Sequence, residues 1–253
     1  MNFIRLYTLI RRQMDSWLRS PINSIVSPWI SAGLFIFIFG FVLGGRIDEI
    51  GGVSYLLFVF PGILAMNVLS GSFMQAANGL YFQRFMKTIE ELLVSPLSYF
   101  ELMLGFTVGG IIRALVIGSG ILVIGLIFGA VTFASPLLFI YYTIVIAAIF
   151  SLVGIIIGLW ANSFEQLGAL NIFVITPLSF LGGMFNTLEM LPPLMQKIAV
   201  FNPFFYFIDG MRYAMTGFAN SNLLIGNIVL LTLLFGLSGV VWYLFKIGWR
   251  IRE

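Results

Sequence analysis

The stretch PLLFIYYTIVIAAIFSLVGIIIGLW, residues 136–160, runs for 25 positions without a charged side chain. A helix rises 1.5 Å per residue, so this one would measure roughly 37 Å, and crossing the hydrocarbon of a bilayer takes about 20 apolar residues. Working outward, five more segments meet the same requirement, near 22–44, 55–78, 103–129, 168–185 and 223–245. The composition agrees. Hydrophobic residues fill 60% of the 253 positions and charged ones only 9%, against about 25% charged in a soluble domain. Most of this surface cannot face water, and the fold class is all-α integral membrane, one transmembrane domain over residues 1–253.

Cysteine and histidine are both absent. Disulfides, Cys- or His-ligated zinc, c-type haem and Cys–His or Ser–His catalysis all require residues this chain lacks. No metal site is expected. The net charge is +3, with the basic residues beside the spans, which suits anionic lipid headgroups and not nucleic acid.

No cleavable signal peptide is expected, because charged and apolar residues alternate from the start. Residues 3–19 instead form an amphipathic pattern. Phe3, Leu6, Tyr7, Ile10, Met14, Trp17 and Leu18 recur at three- and four-residue steps, opposite Arg5, Arg11, Arg12, Asp15 and Arg19. Such a helix lies in the membrane interface, or packs on the protein's own body. Pro21 suits the first turn of the next helix, where its missing N–H costs nothing.

Basic residues set the orientation. The N-terminus, the second loop (Arg84, Lys87) and the tail (Lys246, Arg250, Arg252) hold nine, against Arg46, Lys197 and Arg212 on the other side. The positive-inside rule then puts both termini in the cytoplasm. Residues 186–222 contain apolar pieces too short to span, LPPLMQKIAVF and FFYFIDGMRYAMTGF, separated by prolines. They read as an external re-entrant helical hairpin, with a surface cap as the alternative. Phe201, Phe204, Phe205, Tyr206 and Phe207 suit an interfacial aromatic belt.

Four GxxxG pairs (Gly40–Gly44, Gly105–Gly109, Gly125–Gly129 and Gly154–Gly158) are expected to serve packing within the chain before any seam between chains. Pro61 and Pro177 are expected to kink their helices. Arg113 lies well inside a span, where a charge faces a cavity or is satisfied by neighbouring helices.

The loop over 82–102 is the most informative. Lys87, Glu90, Glu91 and Glu101 are mixed with the helical apolar set Ile89, Leu92 and Leu93, and the short helix should stop near Val94 ahead of Pro96. Surface solubility and docking of a driving partner are both open.

KTIEELLVSPLS, followed later by TPLSFLGGMF, LPPLMQ and FNPFFYFIDGMRY, resembles the type-2 ABC transporter permeases, membrane subunits of drug, polysaccharide and Nod-factor exporters. The resemblance covers essentially the whole chain. It implies that Lys87–Ser98, with Glu90, Glu91, Leu92, Leu93, Ser95 and Pro96, is a coupling helix seated in an ATPase subunit. It further implies a second contact at Ala161–Gly168 with Glu165, an interfacial connecting helix over residues 3–19, and a re-entrant pair over 186–222. Two copies of the chain would form the pathway for a lipid, glycan or drug-like substrate, with two separate ATPase subunits carrying ATP and magnesium.

The residues agree that this chain has no P-loop of its own. That motif needs Gly-Lys followed by Ser or Thr, whereas Lys87, Lys197 and Lys246 follow Met86, Gln196 and Phe245. The chain is therefore expected to bind no cofactor and to have no catalytic site. An ion-coupled secondary carrier is the rival reading, disfavoured because Asp48, Glu90, Glu91, Glu101, Glu165, Glu189 and Asp209 all fall at or beyond span ends. A non-transporting scaffold of the same fold is a third.

Overall fold

Six helices long and apolar enough to cross a membrane are present in a computed structural model that describes residues 3–44, 49–90 and 97–250. They cover Ile22–Gly40, Tyr55–Phe85, Tyr99–Ile127, Pro136–Trp160, Phe164–Leu181 and Leu223–Ile247. The expected order holds, with shifted ends. The second span runs seven residues past residue 78, to Phe85, and the third begins at Tyr99 and not at 103. Polar residues are tolerated in that extra length because they have partners. Ser98 and Glu101 close a capping box, with the Glu101 N–H donating to Ser98 Oγ at 3.2 Å and the Ser98 N–H to Glu101 Oε2 at 2.8 Å.

Spans 2 and 4 are the most buried of the six, and glycine explains how closely they approach. A Cβ at Gly154 would lie 2.5 Å from the Phe73 carbonyl oxygen, and one at Gly158 would lie 2.8 Å from that of Ala77. This GxxxG pair is a seam inside the chain. Gly105 and Gly109 on span 3 seat Leu9 and Gln13 of the N-terminal helix in the same way. A leucine at Gly154 meets backbone, which cannot swing aside, and overpacking of this kind costs about 1–3 kcal/mol. Membrane abundance and thermal stability in detergent should fall for Gly154→Leu and stay unchanged for Gly236→Leu, whose site is open. Equal stability of the two variants would contradict the seam.

The N-terminal helix, Phe3–Leu18, turns Leu9, Gln13 and Trp17 inward and leaves Ile4, Tyr7 and Leu18 exposed. It therefore packs on the protein and still presents a second apolar stripe beside its arginines. Span 1 is held to span 3 by Trp29, whose Nε1–H donates to the Ile117 carbonyl at 3.0 Å above Gly120.

Two prolines leave their mark as π-helical turns. Ile22–Val26 precedes Pro28 and Asn171–Ile175 precedes Pro177. A proline has no N–H for the carbonyl four residues back and its ring crowds that group; the wider turn relieves the clash. Pro61, by contrast, lies inside the unbroken helix Tyr55–Phe85.

After span 1, Glu49–Ile50 pairs antiparallel with Val53–Ser54. Gly51 and Gly52, at φ +61° and +79°, supply the two left-handed residues of the tight turn. Beyond span 5, the helix Pro193–Phe201 is peripheral, with Leu194, Ile198 and Phe201 exposed, whereas Pro203–Thr216 is buried against spans 2, 4, 5 and 6. The aromatic belt expected here is corrected accordingly. Phe204, Phe205 and Phe207 are buried, and Phe204 and Phe207 both meet Phe150 of span 4 edge-on. Only Phe201 and Tyr206 keep exposed surface. The period-3.6 pattern of a helix pointed these rings into the bundle, and a count of aromatics alone could not detect that.

Candidate functional site

At the end of the molecule where span 2 finishes, three segments distant in sequence meet. Arg84, in the last turn of span 2, donates from Nη1 to the carbonyls of Gly158 at 3.0 Å, Leu159 at 2.6 Å and Ala161 at 3.2 Å. One guanidinium thus caps the carbonyl end of span 4, where a cation is favoured by the helix dipole. Tyr81 donates its hydroxyl to the Asn162 carbonyl at 2.8 Å and meets the Phe164 ring edge-on at 4.6 Å. Arg250, beyond span 6, donates to the Trp160 carbonyl. A cavity of about 200 Å³ is lined by Arg84, Lys87, Glu90, Ala161, Asn162 and Arg250.

The chain leaves span 2 through Lys87, at φ +58°, and helix resumes at Ile89–Glu90. Lys87 and Glu90 are exposed; Ile89 is buried in a cluster with Leu102, Met103 and Phe106. That corrects one expectation: Ile89 anchors the segment to its own protein and offers no apolar contact to a partner. Glu91, Leu92, Leu93, Ser95 and Pro96 lie outside the described residues. Glu165 is exposed in the first turn of span 5, after the cap in which Ser163 Oγ accepts the Gln166 N–H at 3.3 Å.

At the opposite end lies a pair whose burial charge counting could not detect. Arg212 and Asp209, which fall in the segment read from sequence as a re-entrant hairpin or a surface cap, are both fully buried in Pro203–Thr216. Arg212 donates from Nε to the Phe58 carbonyl at 3.1 Å and from Nη2 to that of Gly183, with its guanidinium carbon 3.9 Å from the Phe58 ring centroid. Asp209 accepts the backbone N–H groups of Asn220 and Ser221, each at 2.8 Å, and the Ser221 hydroxyl at 2.6 Å. The two charges stand 3.8 Å apart. Opposite charges three apart on a predicted helix, in the FIDGMRY segment, were the signal available in the sequence.

Residues 4–216 match the family model for the ABC-2 type transporter. The chain belongs to the ABC-2 type transporter family. It is 32% identical over 254 residues to the inner membrane transport permease YadH of Escherichia coli K12, covering 100% of this chain and 99% of the relative. It is 25% identical over 208 residues to nodulation protein J of Rhizobium leguminosarum bv. viciae, covering 82% of this chain and 80% of that one.

Both ends described above fall within the matched ABC-2 region except Arg250 and the Asp209 partners Asn220 and Ser221. Of the remaining residues singled out in this ABC-2 sequence, Arg5, Arg11, Arg12 and Arg19 are exposed on or just after the N-terminal helix, while Trp17 is buried at its inner face. Arg113 is half-buried in span 3, donating to Gln75 Oε1 at 3.3 Å and the Ser24 carbonyl at 3.4 Å. The Ser24 acceptor is the one that Pro28, four residues on, leaves unused.

Proposed function

We propose that this chain is the membrane-spanning subunit of an ABC exporter in the bacterial inner membrane, with both termini cytoplasmic. A separate ATPase, present in two copies and carrying ATP and magnesium, would bind at the Arg84 end. A second copy of the chain would complete a pathway for a lipid, glycan or drug-like substrate. The observation that carries this reading is the convergence of Lys87–Glu90, the 161–165 turn and Arg250 on one face. Force applied to the 87–90 segment passes through Arg84 and Tyr81 directly into the ends of spans 2 and 4, the most buried pair. The N-terminal helix would lie in the inner interface, with Ile4, Tyr7 and Leu18 toward lipid and its arginines toward headgroups. The hairpin would dip into the outer leaflet with its polar groups covered by protein. Asp209 is engaged by backbone and hydroxyl donors, which speaks against a free carboxylate for ion coupling.

The chain has no native cysteine, so single cysteines test the arrangement cleanly. In intact cells an impermeant thiol reagent should label Glu189→Cys and spare Glu165→Cys. The active complex, purified with a co-expressed ATPase, should contain two copies of each chain, and the permease alone should not hydrolyse ATP. Reversed labelling would overturn the orientation, and hydrolysis by the isolated chain, or a single copy in the active complex, the subunit assignment.

A further inference from the structure

Between the N-terminal helix and spans 1, 2 and 3 lies a cavity of about 680 Å³ whose wall carries Arg11, Arg12, Arg19 and Arg113. Among the described residues Asp15 is the one acidic residue lining it, and no ion pair joins it to any of the four. Positive charge without a counter-charge is costly at membrane depth. Residues of its wall also carry unpartnered donors. Gln13 and Trp17 are 2% and 5% exposed, and the buried Gln13 Nε2 and Trp17 Nε1 have no acceptor. Arg113 Nε is likewise buried without one. Its other contacts, at 3.3 and 3.4 Å, are longer than the 2.7–2.9 Å typical of a charge-assisted bond. Among the described residues, Gln83 Oε1 is the only unpartnered acceptor in the buried side-chain atoms of this wall.

We infer that this cavity is a binding site for a phosphate-bearing anion, with Arg113 and the Gln13 amide and Trp17 indole donors at its inner wall and the arginines of the N-terminal helix at its rim. Donors outnumber acceptors and positive charge exceeds negative, which a phosphate group with several acceptor oxygens would balance. The same chemistry is offered by an anionic lipid headgroup and by free phosphate. The site sits within one chain and needs neither an ATPase nor a second copy, so its test stands apart from that of the exporter reading.

The purified chain, in micelles containing equal phosphatidylglycerol and phosphatidylcholine, is analysed by native mass spectrometry, with and without millimolar inorganic phosphate. One phosphatidylglycerol should be retained per chain in preference to phosphatidylcholine. Arg113→Gln should weaken retention about ten-fold, the loss expected for one charge-assisted contact, and Lys197→Gln should leave it unchanged. Retention that resists phosphate assigns the site to a lipid headgroup; phosphate bound in its place assigns it to the free anion. Arg12→Gln combined with Arg19→Gln alters only exposed positions and decides the matter if Arg113→Gln does not fold. Retention and phosphate binding equal to wild type in these variants, or neither ligand bound by wild type, would overturn the site.

Discussion

Arg212→Leu should impair stable insertion of the folded chain, lowering membrane abundance several-fold and destabilising the purified protein by about 3–5 kcal/mol, the range for breaking a buried charged network from one side. The leucine removes the bonds to the Phe58 and Gly183 carbonyls and leaves Asp209 without its nearby cation. Arg212→Lys should rescue poorly. A single ammonium cannot serve two carbonyls on different segments with the spread of a planar guanidinium, nor lie flat on the Phe58 ring. Asp209→Asn should be milder than Asp209→Leu, because the amide oxygen can still accept one of the two backbone N–H groups, which reach different carboxylate oxygens in the native chain. Thermal unfolding in detergent, followed by loss of monodisperse protein, ranks the four variants. Lysine equal to arginine would show that charge alone matters and would sink the geometric account.

The second large effect is expected at the opposite end. Combining Glu90→Lys with Glu91→Lys reverses two charges on the segment proposed to dock the ATPase. Glu90 is exposed and free to pair across an interface, whereas Ile89 holds the segment to the protein. A charge pair desolvated in a complex costs about 2–5 kcal/mol when one member is lost, and reversal adds repulsion. ATPase association and transport-linked ATP hydrolysis should therefore collapse while membrane abundance stays normal, since Glu90 contributes nothing to the core. Ile89→Asp should do the opposite, reducing folded protein first. Wild-type transport by the double variant at equal abundance would rule this face out as the coupling site.

Helical fold class, span number and span order were legible because 20-residue apolar runs admit few other structures. The ends were less so. Hydropathy stops at residue 78, yet the helix continues to Phe85, because Arg84 finds three carbonyls of span 4 that no local pattern reveals. The proximity of Lys87–Glu90 to the 161–165 turn was implied by family resemblance and could not be read from spacing. The positive-inside count treats every basic residue as solvent-facing, so it could not detect that Arg212 is fully buried. Arg113 was flagged as intramembrane, but its orphaned Nε and the arginine-lined space beside it depend on how the N-terminal helix docks.

The Arg212 contacts also constrain the order in which the chain can be assembled. The Phe58 acceptor precedes Arg212 by 154 residues, and the donors Asn220 and Ser221 follow Asp209 by 11 and 12. During synthesis the Pro203–Thr216 segment must therefore wait, its charges still hydrated, until the start of span 2 is in place and the approach to span 6 has emerged. A lesion far upstream at Phe58 then strands a cation made much later. One buried arginine thereby links completion of the last third of the protein to correct insertion of the first.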